Sequence, residues 1–445
     1  MSLQSLRAIN ARNWRVLRES PSSEISGALG DLGTLLPLLI ALTLPSSISL
    51  ASTLVFTGVA NILTGIFFGL PLPVQPMKAI AAAAISQSFS RGETAAAGIL
   101  VGAAVGVGSA TGLLRWFARV VPIPVVKGIQ VGAGLSLVLS AGSSLLDLGW
   151  LNPRWSDNLF WVLGAAFLIL GTMNVAHRFP TALVIFLLGI LLAILQLSVS
   201  DQNGRMPSLH TWRPTFLVPS GNAFGGRGWP AALGQLPLTT LNSIVAVSYL
   251  SADLIPSVTA PSTTALGYSV ALMNLVGCWF GAMPACHGSG GLAAQYHFGA
   301  RSGASVILLG GFKVFVGLVF GESLVGLLHR FPRALLGIMV LAAGLELAKV
   351  GESLNVDARD LWEDDHEAHD GQSPKRIRVL DSTERKNRWT VMLLTVGGLL
   401  GFRNDAVGLM AGMLGHASLH AGEYWEEWRY RGRGSINHER QALLS

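Results

Sequence analysis

The fold of this 445-residue chain is decided by one stretch, residues 71–84, which reads Pro-Leu-Pro-Val-Gln-Pro-Met-Lys-Ala-Ile-Ala-Ala-Ala-Ala. Its three prolines fall within six residues and exclude a continuous helix, because proline lacks a backbone N–H and disfavours helix at the residue before it. Pro76 suits the first turn of a helix and alanine favours helix, so we predict an extended segment followed by a helix that begins near Pro76 or Met77. A helix that begins inside an apolar segment presents unpaired N–H groups and a positive dipole end, which bind anions.

The composition places most of the chain in a membrane. Hydrophobic residues make up 51% of the sequence and charged residues 13%, whereas soluble proteins carry about 25% charged residues. Segments 1–24, 351–388 and 419–445 hold 31 of the 56 charged residues, so the other 356 residues hold only 25. The net charge of +6 comes from scattered basic residues, without the basic stripe of a nucleic-acid-binding protein, so no nucleic acid partner is expected. We expect an integral, multi-pass protein whose main surroundings are the lipid bilayer.

The apolar runs predict about fourteen membrane-directed segments. A helix needs roughly 20 apolar residues to cross a bilayer, and the runs near 76–89 and 288–298 are too short to cross alone. The predicted organisation is a cytosolic N-terminal segment at 1–26, a first seven-span repeat at 27–198, an extramembrane linker at 199–231, a second seven-span repeat at 232–350 and 389–420, a charged cytosolic loop at 351–388 and a cytosolic C-terminal tail at 421–445. The charged loop has little apolar content, which predicts loose order.

A second copy of the broken stretch indicates an internal repeat. Residues 61–71, Asn-Ile-Leu-Thr-Gly-Ile-Phe-Phe-Gly-Leu-Pro, are echoed at 274–284 by Asn-Leu-Val-Gly-Cys-Trp-Phe-Gly-Ala-Met-Pro. Seven predicted spans separate the two copies, and an odd number inverts the second copy in the membrane. An inverted repeat with two half-helices at the midplane is typical of secondary transporters. The alternative is that glycines at four-residue spacing only let membrane helices pack closely.

The second broken element contains Cys-His-Gly-Ser-Gly-Gly at 286–291. Its glycines allow a ligand to approach the backbone closely, and consecutive N–H groups in such a loop can form an anion-binding nest. The Ser289 hydroxyl and the His287 ring add side-chain donors. In an inverted repeat the two half-helices would point their N-termini at one anion. The alternative for 286–291 is a tight packing turn without a ligand.

Few other polar groups lie inside the predicted spans. Lys78 would cost about 2.5–3.5 kcal/mol at the bilayer centre, so it needs an anion or a partner; the alternatives are that it extends to the membrane surface or pairs with Asp31. Asp31 could also carry a coupling proton. Asp31, Thr34, Asn242 and Ser243 are second-tier candidates for lining the site. Four further charged residues are expected at membrane interfaces: Asp253, Lys313, Glu322 and Glu346. Arg301 is expected to anchor a loop.

Residues 71–84 and 280–303 resemble the two signature motifs of the plant, algal and fungal molybdate transporters, a family related to sulfate permeases. The second motif reads Phe-Gly-Ala-Met-Pro-Ala-Cys-His-Gly-Ser-Gly-Gly-Leu-Ala-Ala-Gln-Tyr-His-Phe-Gly-Ala-Arg-Ser-Gly. The resemblance implies high-affinity molybdate transport and a seven-plus-seven inverted repeat, in which a core domain (spans 1–4 and 8–11) moves like an elevator against a gate domain (spans 5–7 and 12–14). The substrate-binding residues expected on this basis are Gln75, Met77, Lys78, His287, Gly288, Ser289, Gly290 and Gly291.

Several features of function stay open at this level. Sulfate is a tetrahedral dianion like molybdate, so a sulfate permease of the same fold is the nearest alternative; an anion channel and a membrane-embedded enzyme are further ones. No catalytic residue, metal ligand or cofactor is expected, apart from the coupling proton. A homodimer stays open as a partner; because about 25 residues follow 420, it is not expected to form through the C-terminal regulatory domain of sulfate permeases. The sequence is compatible with the plasma membrane or an endomembrane such as the vacuole.

Overall fold

The computed structural model describes residues 3–43, 46–150, 155–172, 181–200, 207–209, 211–356, 358–364 and 375–421. These residues are mostly helical, with two short antiparallel sheets. They form two compact units, one built from Met1–Val120 and Ala133–Val350 and the other from Val121–Gly132 and Gly351–Ser445. Nearly all of the predicted C-terminal tail, 421–445, lies outside the described residues.

The first half of the chain contains an N-terminal helix and seven membrane-directed elements, with one short connecting helix. They are α1 (Leu3–Glu19), the broken pair α2 (Pro21–Leu29) and α3 (Leu32–Thr43), α4 (Leu50–Phe68), strand β1 (Val74–Pro76) with half-helix α5 (Lys78–Ser86), α6 (Arg91–Ala110), the connecting α7 (Leu113–Val120), α8 (Ile123–Leu146), α9 (Leu159–Thr172) and α10 (Thr181–Ser200).

The second half repeats this order. It contains α11 (Gly221–Ala223), α12 (Trp229–Leu238) and α13 (Ala246–Leu254) as one irregular span, α14 (Thr263–Gly277), strand β2 (Ala285–His287) with half-helix α15 (Ser289–His297), α16 (Ala304–Val319), the connecting α17 (Val325–Leu328), α18 (Arg333–Lys349), α19 (Ser382–Phe402) and α20 (Asp405–Leu419). Six helices among the described residues are long and apolar enough to cross a membrane, or seven if α16 and the bent segment after it count as one span.

Three predicted segments differ from the structure. The span expected at 27–44 is broken at Gly30 and Asp31, because the chain turns there between α2 and α3. The span expected from 232 begins at Gly221 and contains π-helical turns at Phe224–Gly228 and Thr239–Val245. The loose order expected for 351–388 is wrong for most of the described part. There, Arg388 is buried and donates to Asp360 at 2.5 and 3.0 Å and to Leu354 O at 2.8 Å.

The two halves pack against each other through two helix pairs that correspond in the repeat. α4 packs against α16 and α6 packs against α14. Since α4 corresponds to α14 and α6 to α16, the two contacts are related by the internal repeat. The α4 contact is close enough that a Cβ on Gly58 would lie 2.8 Å from Gly310 O. Close glycine packing and a true repeat are therefore both present in this structure.

Two asparagines explain how the same strand forms in each half. Asn61 Oδ1 accepts the N–H of Val74 at 2.7 Å, and Asn274 Oδ1 accepts the N–H of Ala285 at 2.9 Å. Each bond fixes the first residue of a short strand, which would otherwise bury an unpaired donor. The sequence similarity between 61–71 and 274–284 thus includes an asparagine with the same structural role in each copy, which is to accept the first N–H of the following strand. Each strand then runs directly into its half-helix.

Candidate functional site

The two half-helices begin beside each other because the strands before them are paired. β1 and β2 are antiparallel, with Gln75 opposite Cys286, and Met77 N donates to Pro284 O at 2.9 Å. Met77 and Gly288 are the N-cap residues of α5 and α15, and both have extended backbone angles. The junction lies within the first compact unit, and its predicted binding residues are buried except for Lys78, which is half-buried.

The N-terminus of α15 presents free main-chain donors. The N–H groups of Ser289, Gly290 and Gly291 lie in the first turn, where a helix has no internal acceptor. Within the described part of the chain, no acceptor pairs with them. The Ser289 hydroxyl is fully buried and donates to Asn242 Oδ1. α15 therefore offers three N–H groups and the positive end of its dipole inside the protein.

The N-terminus of α5 is closed by a residue that the sequence reasoning did not select. Gln235 Oε1 accepts the N–H of Ala79 at 2.8 Å and that of Ile80 at 3.4 Å. Gln235 is fully buried, and its Nε2 donates to Thr239 Oγ1 at 2.9 Å, which fixes the orientation of the amide. The available signal was its place in Leu-Gly-Gln-Leu-Pro at 233–237, the segment that loosely matches 30–37 in the repeat.

Gln75 lies between the two half-helices. A Cβ on Gly288 would overlap its Oε1, and a Cβ on Gly291 would lie 2.7 Å from its Nε2. These glycines are therefore required to make room for the Gln75 amide, as well as to expose the backbone. Gln75 Nε2 donates to Asp31 Oδ1, so the first half of the chain holds this side chain in place.

Lys313 is not at an interface, contrary to the prediction. It is buried in α16, its Nζ donates to Val74 O at 3.4 Å, and it interacts electrostatically with Asp31. A buried ammonium is stable only when opposite charge and acceptors surround it. Lys313 and Asp31 thus support strand β1 through its residues Val74 and Gln75. The position of Lys313 near the centre of the run 304–321 was the signal that could have identified it.

Lys78 occupies the first position of α5 and is half-buried. It makes no ion pair with Asp31 or any other described residue, so the alternative of an Asp31 partner is wrong. Lys78 directly follows Met77, the N-cap residue of α5, whose backbone N–H donates to Pro284 O beside the paired strands. A cation that is part-buried and without a carboxylate partner is a group that an anion would stabilise.

Some candidate residues are occupied by other contacts. His287 is fully buried, with Nε2 at 2.9 Å from Ser269 Oγ and the ring edge-on to Phe68. Ser243 Oγ donates to Cys286 Sγ at 3.1 Å. These contacts support the strands and not the half-helix ends. The side chains of Thr34 and Glu346 lie outside the described residues.

Arg301 is confirmed as a loop anchor. Its backbone N–H donates to Glu24 Oε1 at 2.7 Å, and its guanidinium lies 3.7 Å from the centre of the Tyr296 ring. Glu24 also accepts the N–H groups of Ser302 and Ser305 at 3.1 and 3.0 Å. This carboxylate therefore caps the N-terminus of α16. Asp253 and Glu322 are exposed, as expected for interfacial residues.

The fold is shared with solved anion transporters. The transmembrane domain of a cyanobacterial bicarbonate transporter, BicA, matches with a TM-score of 0.51 and 15% identity, over 88% of this chain and 96% of that one. Murine SLC26A9, an anion transporter in the inward-facing state, matches with a TM-score of 0.55 and 14% identity, over 90% of this chain and 68% of that one. The seven-plus-seven inverted repeat predicted from the sequence is thereby confirmed.

Sequence comparison identifies a family. Residues 23–137 and 227–347 match the family model described as "molybdate transporter of MFS superfamily". Molybdate transporter 2 of Arabidopsis thaliana is 39% identical over 76% of this chain and 81% of its own length. Molybdate transporter 1 of Chlamydomonas reinhardtii is 32% identical over 90% of this chain and 92% of its own length. The two matched ranges contain both half-helices and the residues around them. The chain therefore belongs to the molybdate transporter family.

Proposed function

We propose that this protein transports molybdate across a membrane, with the anion bound at the N-terminus of α15. The observation that carries the proposal is the buried set of free N–H groups at Ser289, Gly290 and Gly291. Family membership and the relatives named as molybdate transporters support the same substrate.

The chemistry of these groups fits an oxyanion. A tetrahedral dianion has four oxygen acceptors and no hydrogen to donate, so it needs several donors and positive charge in place of its lost hydration. The first turn of α15 supplies donors that need no reorganisation, and Lys78 supplies a mobile positive charge from α5. Hydrogen bonds to a charged group contribute about 1.5–3 kcal/mol each, so three or four of them can support tight binding.

The positions of the site residues support an alternating-access mechanism. The site residues all belong to the spans predicted to form the core domain: Gln75, Lys78, Gln235 and the first turn of α15. Direct bonds join Gln235 to α5 and Ser289 to Asn242. The binding groups would therefore move as one body and carry the anion past the predicted gate domain. We propose this elevator-like motion, with Asp31 as the candidate carrier of a coupling proton, since it is a buried carboxylate bonded to Gln75.

Sulfate transport by the same site is the second candidate. Sulfate has the geometry and charge of molybdate but is smaller, so it would reach fewer of the donors at one time. The family match favours molybdate. We expect transport that is slow and saturates with molybdate concentration, in contrast to flux through a channel. The proposed site offers anion-binding groups rather than the nucleophile and base of an enzyme.

The experiment is uptake of labelled molybdate by liposomes that contain the purified protein. We expect saturable uptake that an equal concentration of sulfate reduces only slightly. If sulfate at that concentration abolishes molybdate uptake, the protein is a sulfate permease and the molybdate assignment is wrong. Flux that grows linearly with molybdate concentration would indicate a channel.

A further inference from the structure

A second group of anion-binding residues lies at the N-terminal end of α4, outside the site described above. It lines an open cavity of about 570 Å³, which we call the outer cavity. Its donors are two arginines and three hydroxyl side chains: Arg91, Arg213, Ser52, Thr211 and Thr215. Such a lining suits a small oxyanion, since a guanidinium presents paired N–H groups that match two oxygens.

The charge of the outer cavity is positive. Neither arginine forms an ion pair with a described residue; Arg91 uses its Nε to donate to Ser46 O at 3.2 Å, which leaves its terminal N–H groups available. The cavity lining contains one carboxylate, Glu322, whose Oε1 accepts from Ser49 Oγ at 2.9 Å and from Ala51 N at 3.4 Å. Two cations against one anion, which is itself hydrogen-bonded, leave a net attraction for anions.

The backbone on both sides of Arg213, one of the two arginines that line the cavity, is held by its neighbours. Arg213 follows Trp212, whose backbone N–H donates to Leu318 O at 3.0 Å and whose Nε1 donates to Ser52 Oγ at 3.2 Å. On its other side, Leu217 N donates to Trp279 O at 2.6 Å, and Phe216 stacks on the Trp279 ring. The described stretch 212–217, part of the expected extramembrane linker, is therefore held on both sides of Arg213.

The outer cavity lies at the opposite end of α4 from the N-terminal helix. Asn13 of α1 donates to Gly65 O at 3.0 Å, near the C-terminus of α4, whereas Ser49 is the N-cap. The 19 residues between these ends span about 28 Å, close to the thickness of a bilayer core. The cavity therefore opens on the membrane face opposite to α1.

The same end of α4 is bonded to the chain that leads to the half-helix site. Ser49 N donates to Gly281 O at 2.9 Å, and Met283 N donates to Thr53 Oγ1 at 3.0 Å. These residues directly precede β2 and α15. An anion in the outer cavity would thus lie beside the segment that carries the binding turn.

We propose that the outer cavity is a capture site for tetrahedral oxyanions, which binds the substrate weakly before it reaches α15. This inference rests on the proposed transport function and adds a second site with its own residues. A positively charged cavity raises the local anion concentration and the association rate, by about 10-fold or more at low salt. The occupant is the same class of dianion as the transported one.

The test uses two variants of the full-length protein and equilibrium dialysis with labelled molybdate. The wild type is expected to bind two molybdate ions, one tightly and one weakly. The double variant Arg91→Ala/Arg213→Ala should lose the weak site and keep the tight one, while Ser289→Trp should lose the tight site and keep the weak one. A single class of binding site in the wild type, or a weak site that survives the double variant, would overturn the capture site. This measurement decides the inference whether or not the protein transports molybdate.

Transport kinetics give the second measurement. In liposomes at low salt, the double variant should raise KM for molybdate about tenfold when the ion is supplied to the outer cavity, with kcat unchanged. In about 1 M potassium chloride the difference should disappear, because the Debye length falls to about 3 Å. Arg330→Ala is the matched control, since Arg330 follows the connecting helix α17 and does not line the cavity. A wild-type KM in the double variant would contradict the capture site without affecting the proposed transport function.

Discussion

The half-helices α5 and α15 are equivalent in the internal repeat, yet they offer a ligand different groups. At α5 the early N–H groups of Ala79 and Ile80 are satisfied by Gln235, and positive charge comes from the Lys78 side chain. At α15 the N–H groups of the first turn are open, and the turn carries the uncharged Ser289, whose hydroxyl donates to Asn242 Oδ1. The comparison indicates a division of roles. α15 binds the anion through fixed main-chain donors, and α5 contributes a side chain that can move.

The division of roles predicts that blocking α15 has the largest effect. Ser289→Trp fills the space before the open N–H groups, so we expect loss of molybdate binding by at least about 100-fold, the equivalent of roughly 2.7 kcal/mol. Isothermal titration of purified protein measures this change. Ser289→Ala should lose less than about tenfold, because it leaves the main-chain N–H groups open and removes only the hydroxyl that donates to Asn242 Oδ1.

Two controls distinguish a loss of binding from a folding defect. Ser143→Trp adds the same bulk at an exposed serine of α8 and should bind like the wild type. The elution volume and thermal melting of Ser289→Trp show whether it is folded, and Ser289→Ala remains informative if it is not. Wild-type affinity in a folded Ser289→Trp protein would show that the anion does not bind at α15.

Lys78→Ala tests the contribution of α5 and should have an intermediate effect. Removing a half-buried cation that lies beside a dianion is expected to weaken binding by about 10-fold to 100-fold, since a charged hydrogen bond contributes about 1.5–3 kcal/mol. Lys78→Arg should recover part of the loss. Lys386→Ala removes an equal charge from an exposed position of α19 and serves as the control. An unchanged dissociation constant in Lys78→Ala would remove Lys78 from the site.

The positions of the half-helices could be read from local sequence. The helix expected near Pro76 or Met77 begins at Lys78, and the one expected at 288–298 spans Ser289–His297. Proline, glycine and alanine fix these boundaries because their backbone preferences act within a few residues. The repeat was visible for the same reason, since each copy needs its own asparagine and its own turn.

The partners of the site residues could not be read in the same way. Asp31 meets Gln75, and Gln235 meets Ala79, across long separations in the sequence. The membrane helices are apolar on most faces, so their sequence does not fix which side turns inward. Lys313 shows the consequence, because a charge in an apolar helix was expected at an interface and instead lies buried beside β1.

Gln235→Ala provides the finest test of the comparison, because it makes α5 resemble α15. Without the Gln235 amide, the N–H groups of Ala79 and Ile80 lose their acceptor. A buried unsatisfied donor costs about 1–3 kcal/mol, so we expect a lower melting temperature in the anion-free protein. Molybdate affinity should change by less than about threefold, or under roughly 0.7 kcal/mol, since the anion uses the donors of α15.

Thermal melting with and without molybdate separates a cap from a ligand. If Gln235 only caps α5, saturating molybdate should stabilise the variant as much as the wild type, because the anion uses the donors of α15 in both proteins. Thr239→Val is the control, since it removes the hydroxyl that orients Gln235 but leaves the Oε1 acceptor in place. A loss of affinity in Gln235→Ala as large as that in Ser289→Trp would mean that Gln235 contacts the anion directly, and the two half-helices would then share the binding more equally than their N–H groups indicate.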